Sequence, residues 1–270
     1  MKTLFTAVLL LAFTAPAQDW AKARLDNSPR HIEWVKIKHG NREVNCTIAF
    51  PEIKEKATTV IVIHEIFGLT DWVRGVADQL AEAGYIAIAP DLLSGCATNG
   101  GGTADLGGGD AVRKAISGLK PEQVTADLDA VADYATKLPA SNGKVAVGGF
   151  CWGGTQSFRY ATNNKKLKAA FPFYGSAPES AEELARIECP VHGFYAANDN
   201  RINATLPKTT EQMKAAKKTY EPITYDGAGH GFMRAGEAPD KGNNTPEMFE
   251  ANQRARAAAW QRWKDLLKKL

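Results

Sequence analysis

Nucleophilic chemistry needs an activated atom, a base to take its proton and a group to hold that base. Cys151, His230 and Asp199 are the residues of this sequence that could supply them. Lys144 to Thr155 reads KVAVGGFCWGGT, in which the apolar Val145-Ala146-Val147 breaks into glycines around Cys151. Gly149, Cys151 and Gly153 make G-x-C-x-G, the spacing of a nucleophile elbow with sulfur at its tip. A strand that reverses sharply into a helix holds the middle residue in strained geometry, and its neighbours must lack a Cβ. The following helix aims free N–H groups and the positive end of its dipole at the sulfur, which favours thiolate. The alternative is a Gly-rich turn around a buried, inert cysteine. A strand before and a helix after favour the elbow.

The acid and the base come from later strand exits. Val191 to Ala196 runs into Asn198-Asp199-Asn200, and Ile223 to Tyr225 runs into Asp226-Gly227-Ala228-Gly229-His230-Gly231-Phe232. His230 can accept the thiol proton and return it to a leaving group, while Asp199 fixes the imidazole tautomer. Taken singly, Asp199 reads as an Asx-turn residue and His230 as a loop residue; their order behind an elbow favours catalysis. His31, His39 and His192 lack such a setting. His64 is the rival because it ends a strand, and Glu65 beside it would face the elbow from the neighbouring strand. The plain role for Glu65 is a carboxylate at the start of the next helix.

The elements that must position these residues follow from periodicity. Ile32 to Ile37 and Val44 to Phe50 alternate around His39-Gly40-Asn41, predicting an antiparallel pair at one sheet edge. Thr58 to Ile63 is a β-branched run, as in a parallel strand covered on both faces. Asp71 to Gly84 has helical spacing, Tyr85 to Ala89 is a buried strand, and Pro121 opens a helix with Val124, Leu128, Val131 and Ala135 on one face. After the elbow come a strand (169–174), a short helix (180–186), a strand (191–196), a helix (204–218), a last strand and a closing helix from Pro246. This alternation predicts an α/β fold with a mostly parallel central sheet and helices on both faces. Residues 21–30 read as a mobile polar lead-in. Residues 94–110, rich in glycine, read as a flexible surface loop, either a lid over the site or a disordered insertion.

Composition narrows the partners. The chain of 270 residues has 44% hydrophobic content and a formal net charge of +3, enough core for one domain and no basic surface for nucleic acid. Lys2, the apolar run Leu4 to Phe13 and Ala15-Pro16-Ala17 form a secretory leader with an A-x-A cleavage pattern. The expected organisation is a signal peptide over 1–17 and a single domain over 18–270, periplasmic or secreted, with no membrane span once the leader is removed. Cys46, Cys96 and Cys189 have no C-x-x-C spacing, so no zinc or dithiol site is expected. A bridge between Cys46 and Cys96 is open to the sequence, with burial of each the expected outcome.

Five ordered motifs then carry a resemblance. H-E-I-F-G-L at His64 to Leu69, A-P-D-L at Ala89 to Leu92, G-F-C-W-G-G at Gly149 to Gly154, the Asp199 turn and G-H-G-F at Gly229 to Phe232 resemble the dienelactone hydrolase family of α/β-hydrolases. The resemblance implies the α/β-hydrolase fold and cofactor-free hydrolysis of small ester or lactone substrates; beside it, no metal is expected, and the chain is expected to be a monomer or small homo-oligomer. It implies a Cys151-His230-Asp199 triad, with Glu65 holding the resting thiol. It further implies an oxyanion hole from the N–H groups of Trp152 and Ile66, and a substrate carboxylate bound by Arg234. Arg113 is the candidate for a second such arginine. Two other classes compete: a thiol redox protein, which lacks a resolving cysteine nearby in sequence, and a catalytically inactive binding module on the same fold.

Overall fold

The computed structural model describes residues 19–270, so the leader read over 1–17 lies outside the described residues. Eight strands form one sheet: β1 (Ile32–His39), β2 (Arg42–Ala49), β3 (Ala57–Ile63), β4 (Ile86–Pro90), β5 (Ser141–Phe150), β6 (Ala170–Phe173), β7 (Val191–Ala196) and β8 (Tyr220–Tyr225). Their order is β1-β2-β4-β3-β5-β6-β7-β8. β1 and β2 form the expected antiparallel hairpin at one edge, β2 lies antiparallel to β4, and every later pairing is parallel.

The helices are α1 (Asp19–Asp26), α2 (Asp71–Glu82), α3 (Gly109–Gly118), α4 (Pro121–Lys137), α5 (Trp152–Asn163), α6 (Ala181–Leu184), α7 (Asn200–Asn203), α8 (Leu206–Ala215), α9 (Phe232–Ala235) and α10 (Pro246–Leu267). They cover both faces because the inner strands are apolar on both. Val60 and Val62 of β3 pack in one layer with α2 and α10, whereas Ile61 and Ile63 pack in the other with α4 and α5. Alternate side chains of a strand point to opposite faces, so one β-branched run serves two cores. Among the described residues no helix is long and apolar enough to cross a membrane.

Two stretches differ from the sequence expectation, and both are held by a carboxylate distant in sequence. The supposed lead-in contains α1, whose Ala21 is buried. Arg24, Ser28 and Arg30 all hydrogen-bond to Asp78 of α2, with Arg30 bidentate at 2.7 and 2.8 Å. The Gly-rich stretch is likewise ordered. Its Thr103 donates both N–H and Oγ–H to Asp91 at 2.7 Å, and a 3-10 turn leads on to α3. Glycine here serves close approach: a Cβ on Gly102 would lie 2.2 Å from Asp91 Oδ2. The four thiols are free, Cys46 and Cys189 buried and Cys96 exposed, so Cys46 and Cys96 are not bridged.

Burial opposes the charge on Asp78, but the hydrogen bonds from Arg30 and Ser28 outweigh it and hold the carboxyl below the usual range. Asp78→Asn should therefore destabilise the fold, toward the lower end of the roughly 3–5 kcal/mol for breaking a buried pair, because the Arg24 side chain remains 33% exposed. A carboxyl lowered in the folded state stabilises above its unfolded value, about pH 4, and loses that contribution as pH falls through the folded value. Denaturant melts of both proteins should differ fully at pH 7 and converge in acid.

Candidate active site

Backbone contacts make the turn after β5 sharp. Cys151 has φ 54° and ψ −114° and forms the N-cap of α5. A non-glycine residue held there costs on the order of 1–3 kcal/mol. Its N–H donates to Phe173 O at 3.0 Å and its carbonyl accepts from Thr155 N–H at 3.1 Å, so both neighbouring elements hold the strain in place. The glycines of the motif are required by contact. A Cβ on Gly149 would lie 2.1 Å from Gly153 O, and one on Gly153 would lie 2.4 Å from the carbonyl oxygens of both Ile63 and His64. The exits of β3 and β5 are thereby pressed together.

The sulfur faces a cavity of about 310 Å³ whose walls include Ile66, Trp152, Thr155, Tyr174 and Arg201. Burial is the main influence pushing the Cys151 thiol up, and the charge of Glu65 adds to it. Against these, the Trp152 N–H bonds the sulfur, and Arg201 and then Arg234 pull the thiol down. The helix start favours thiolate as expected, but it does not win at rest. A thiol held above its ordinary range is protonated near neutral pH.

Asp199 and His230 meet as their order in the sequence predicts. Their exits from β7 and β8 bring His230 Nδ1 to 2.5 Å from Asp199 Oδ2, and Asp199 is buried at the start of α7. Tyr174, at the end of β6 with φ 39°, packs edge-on to the His230 ring at 5.0 Å. Its buried hydroxyl faces Glu65, and burial, with the charge of Glu65, raises it well above the ordinary range. No hydrogen bond joins Cys151 to His230 among the described residues. The two are linked through Glu65, whose charge raises the thiol and is itself favoured by His230.

Glu65 is buried directly after β3. Burial pushes its carboxyl up, against the pull of Arg234 and His230. Arg234 is not free to receive a substrate in this state: Nη1 contacts Glu65 Oε2, and the guanidinium lies over the Phe67 ring at 5.1 Å. Arg113 pairs with Asp110 on α3 and does not line the Cys151 cavity. The rival His64 is spent on the backbone. Nδ1–H donates to Glu65 O at 2.8 Å and Nε2 accepts from Leu92 N–H at 3.3 Å, which fixes a neutral ring. Burial lowers its pKa accordingly. Among the described residues no cluster of His, Cys, Asp or Glu could hold a metal ion.

Sequence reading missed three residues here. Tyr174 looks like the end of a buried strand, Thr103 like part of a loose loop, and Arg201 like a solvated turn charge. Thr103 has a local signal only in retrospect, since Gly68 at φ 73° could carry no Cβ without striking its side chain at 2.4 Å.

The fold agrees with relationships to known proteins. The family model described as the dienelactone hydrolase family matches residues 44–270. The chain belongs to the dienelactone hydrolase family. Among relatives, a protein of Escherichia coli (strain K12) provisionally named carboxymethylenebutenolidase is 34% identical over 184 residues, covering 64% of this chain and 66% of that protein. This chain thus spans just under two thirds of that relative. A Synechocystis protein with the same provisional name is 30% identical over 246 residues, covering 86% of this chain and 94% of its own. The crystal structure of a provisionally named dienelactone hydrolase from Klebsiella pneumoniae superposes with a TM-score of 0.75 at 27% identity, covering 89% of this chain and 99% of that one. A dienelactone hydrolase-like promiscuous phosphotriesterase from metagenomic libraries, 23% identical with a TM-score of 0.72 over 89% of this chain and 98% of its own, shares the fold.

The loop from Glu65 to Leu69, which carries Ile66, is tied down by the Leu69 N–H donating to Thr103 Oγ at 3.0 Å. Thr103→Val should speed amide exchange at Leu69 by about fivefold, the equivalent of roughly 1 kcal/mol for one net hydrogen bond. Thr103→Ser, which keeps the hydroxyl, should stay near wild type. Exchange followed residue by residue checks both.

Proposed function

We propose that this chain is an exported cysteine hydrolase that cleaves esters or lactones through an acyl-enzyme. The observation that carries the reading is a strained cysteine at a helix start, in one cluster with a histidine held at Nδ1 by a buried aspartate. Family membership supports it. Export rests on the leader pattern of residues 2–17.

In this reading Asp199 holds Nδ1–H of His230 and leaves Nε2 to carry protons. At rest the thiol is protonated, and Glu65 is engaged by Arg234. As substrate arrives, Glu65 accepts the thiol proton, and the thiolate attacks the carbonyl carbon. The carbonyl oxygen becomes an oxyanion received by the N–H groups of Trp152 and Ile66, backbone donors of the kind that stabilise charge as it develops. The intermediate collapses, the C–O bond breaks, and the proton reaches the leaving oxygen through His230. His230 then takes a proton from water, and the hydroxide attacks the thioester. The departing sulfur recovers that proton. One water is consumed, and one acid and one alcohol form; in a lactone both remain in one product.

Arg234 has a second role here. A substrate carboxylate can replace Glu65 as its partner, which couples binding to release of the base. Among the described residues no second cysteine lines the cavity around Cys151, which favours acyl transfer over dithiol redox chemistry.

With an activated ester, the mature protein should give a burst of one acyl group per chain, located on Cys151 by mass spectrometry and absent in Cys151→Ala. His230→Ala should lose roughly 10⁵–10⁶-fold in kcat and Asp199→Asn roughly 10⁴-fold, since triad members act as a unit with unequal shares. Full turnover in Cys151→Ala would remove the assignment. The negative charge of Glu65 raises the thiol, so Glu65→Gln should move the midpoint of Cys151 alkylation against pH downward while lowering kcat/KM. A thiolate already complete well below neutral pH in wild type would return Glu65 to a purely structural role.

A further inference from the structure

Beside the cavity of Cys151 lies a second one, of about 370 Å³, lined by Ser176, Glu179, Arg201, Ile202, Lys208 and neighbours on α7 and α8. Arg201 and Ile202 belong to both cavities. The rest of the partition is polar: Thr155, on the sulfur side, meets Ser176, on the far side, at 3.3 Å between hydroxyls, and Ser176 N–H donates to Thr155 Oγ at 3.0 Å. The two spaces are therefore adjoining chambers with a common wall at the exits of β6 and β7.

Charge distinguishes the second chamber. Arg201 is exposed and makes no ion pair or hydrogen bond among the described residues, and Lys208 is likewise without a partner. One acid, Glu179, lines the same space, leaving an excess of positive charge. Arg234, by contrast, is already neutralised by Glu65. A guanidinium fork left open at the boundary between a reactive centre and a basic chamber matches a planar or tetrahedral oxyanion.

We propose that Arg201, with Lys208 behind it, forms an anion subsite for the part of the substrate remote from the scissile bond. The substrate class is an elongated ester or lactone: its reacting carbonyl sits at Cys151, and a carboxylate or phosphate at its far end sits in the second chamber. This rests on the hydrolase reading for the word substrate, but not for the binding itself. Arg201 specifies; it transfers no proton and forms no bond.

The test has two arms. In the first, kcat/KM is measured for 4-nitrophenyl esters of a medium-length chain ending in carboxylate, in phosphate or in a neutral methyl ester. Wild type should favour the anionic ends, and Arg201→Gln should cut the anionic-to-neutral ratio roughly tenfold, the scale of one charged hydrogen bond. Arg201→Lys should restore part of it. Taking the ratio cancels any change in thiol reactivity, because Arg201 acts on the sulfur equally with every ester. The larger ratio between the carboxylate and phosphate series identifies the preferred oxyanion.

The second arm needs no turnover. A linear medium-chain dicarboxylate or an alkyl phosphate should protect Cys151 from iodoacetamide in wild type, read by peptide mapping to separate it from exposed Cys96. Protection should weaken about tenfold in Arg201→Gln. If no ester turns over but protection still depends on Arg201, the hydrolase reading falls and the subsite stands. If esters turn over but ratio and protection ignore Arg201, the subsite is overturned. A preference that survives Arg201→Gln and disappears in Arg234→Gln also overturns it, placing the anion at Arg234. Arg201 has no partner to lose, so the variants should fold; circular dichroism confirms this before either arm.

Discussion

The structure depends on backbone brought against backbone where β3, β5 and β6 end. Gly149 and Gly153 leave no room for a Cβ, and a Cβ on Gly154 would lie 2.3 Å from Phe173 O. Packing at this distance fixes three strand exits relative to one another without any side chain between them. Each exit then presents a group to the same small volume: Glu65 and Ile66 from β3, Cys151 from β5, Tyr174 from β6. A single methyl group at Gly153 would separate these exits. The strain stored at Cys151 persists because hydrogen bonds from both neighbouring segments over-determine it.

The electrostatics of the thiols shows what this arrangement adds. Burial above all, with the charge of Glu188, pushes Cys189 up to about 12, where it behaves as a small apolar side chain. Cys151 is also raised by burial, yet it lies among a helix-start N–H, two arginines and a buried acid. Its ionisation can therefore be switched by moving charges a short distance. That property belongs to the neighbourhood, since the sulfur itself is no different.

Local pattern made the sheet and the elbow legible. Period-two and β-branched runs gave the strands, and G-x-C-x-G could be read because Gly149 answers a constraint within five residues, its approach to Gly153 O. The pairing of Asp199 with His230 was legible as chain order behind that elbow. What escaped was set across long separations. α1 reads as a polar lead-in until Asp78 is seen to hold Arg24 and Arg30, and residues 94–110 read as loose because glycine signals flexibility and close contact alike. Arg234 was legible as an arginine near the site, but its engagement with Glu65 was not. Arg201 left no trace at all, because sharing two cavities is a property of the folded surface and not of a motif.

Trp263 of α10 is fully buried against the elbow strand, where a Cβ on Gly148 would lie 2.7 Å from its ring. It also packs against Phe150, Phe171 and Phe173. These aromatics are synthesised long before the helix that covers them. During synthesis the emerging chain must therefore carry a greasy, half-finished sheet face until α10 arrives, and transiently exposed apolar surface is what chaperones bind and aggregates grow from. The last helix thus sets the time at which the nascent chain stops being sticky.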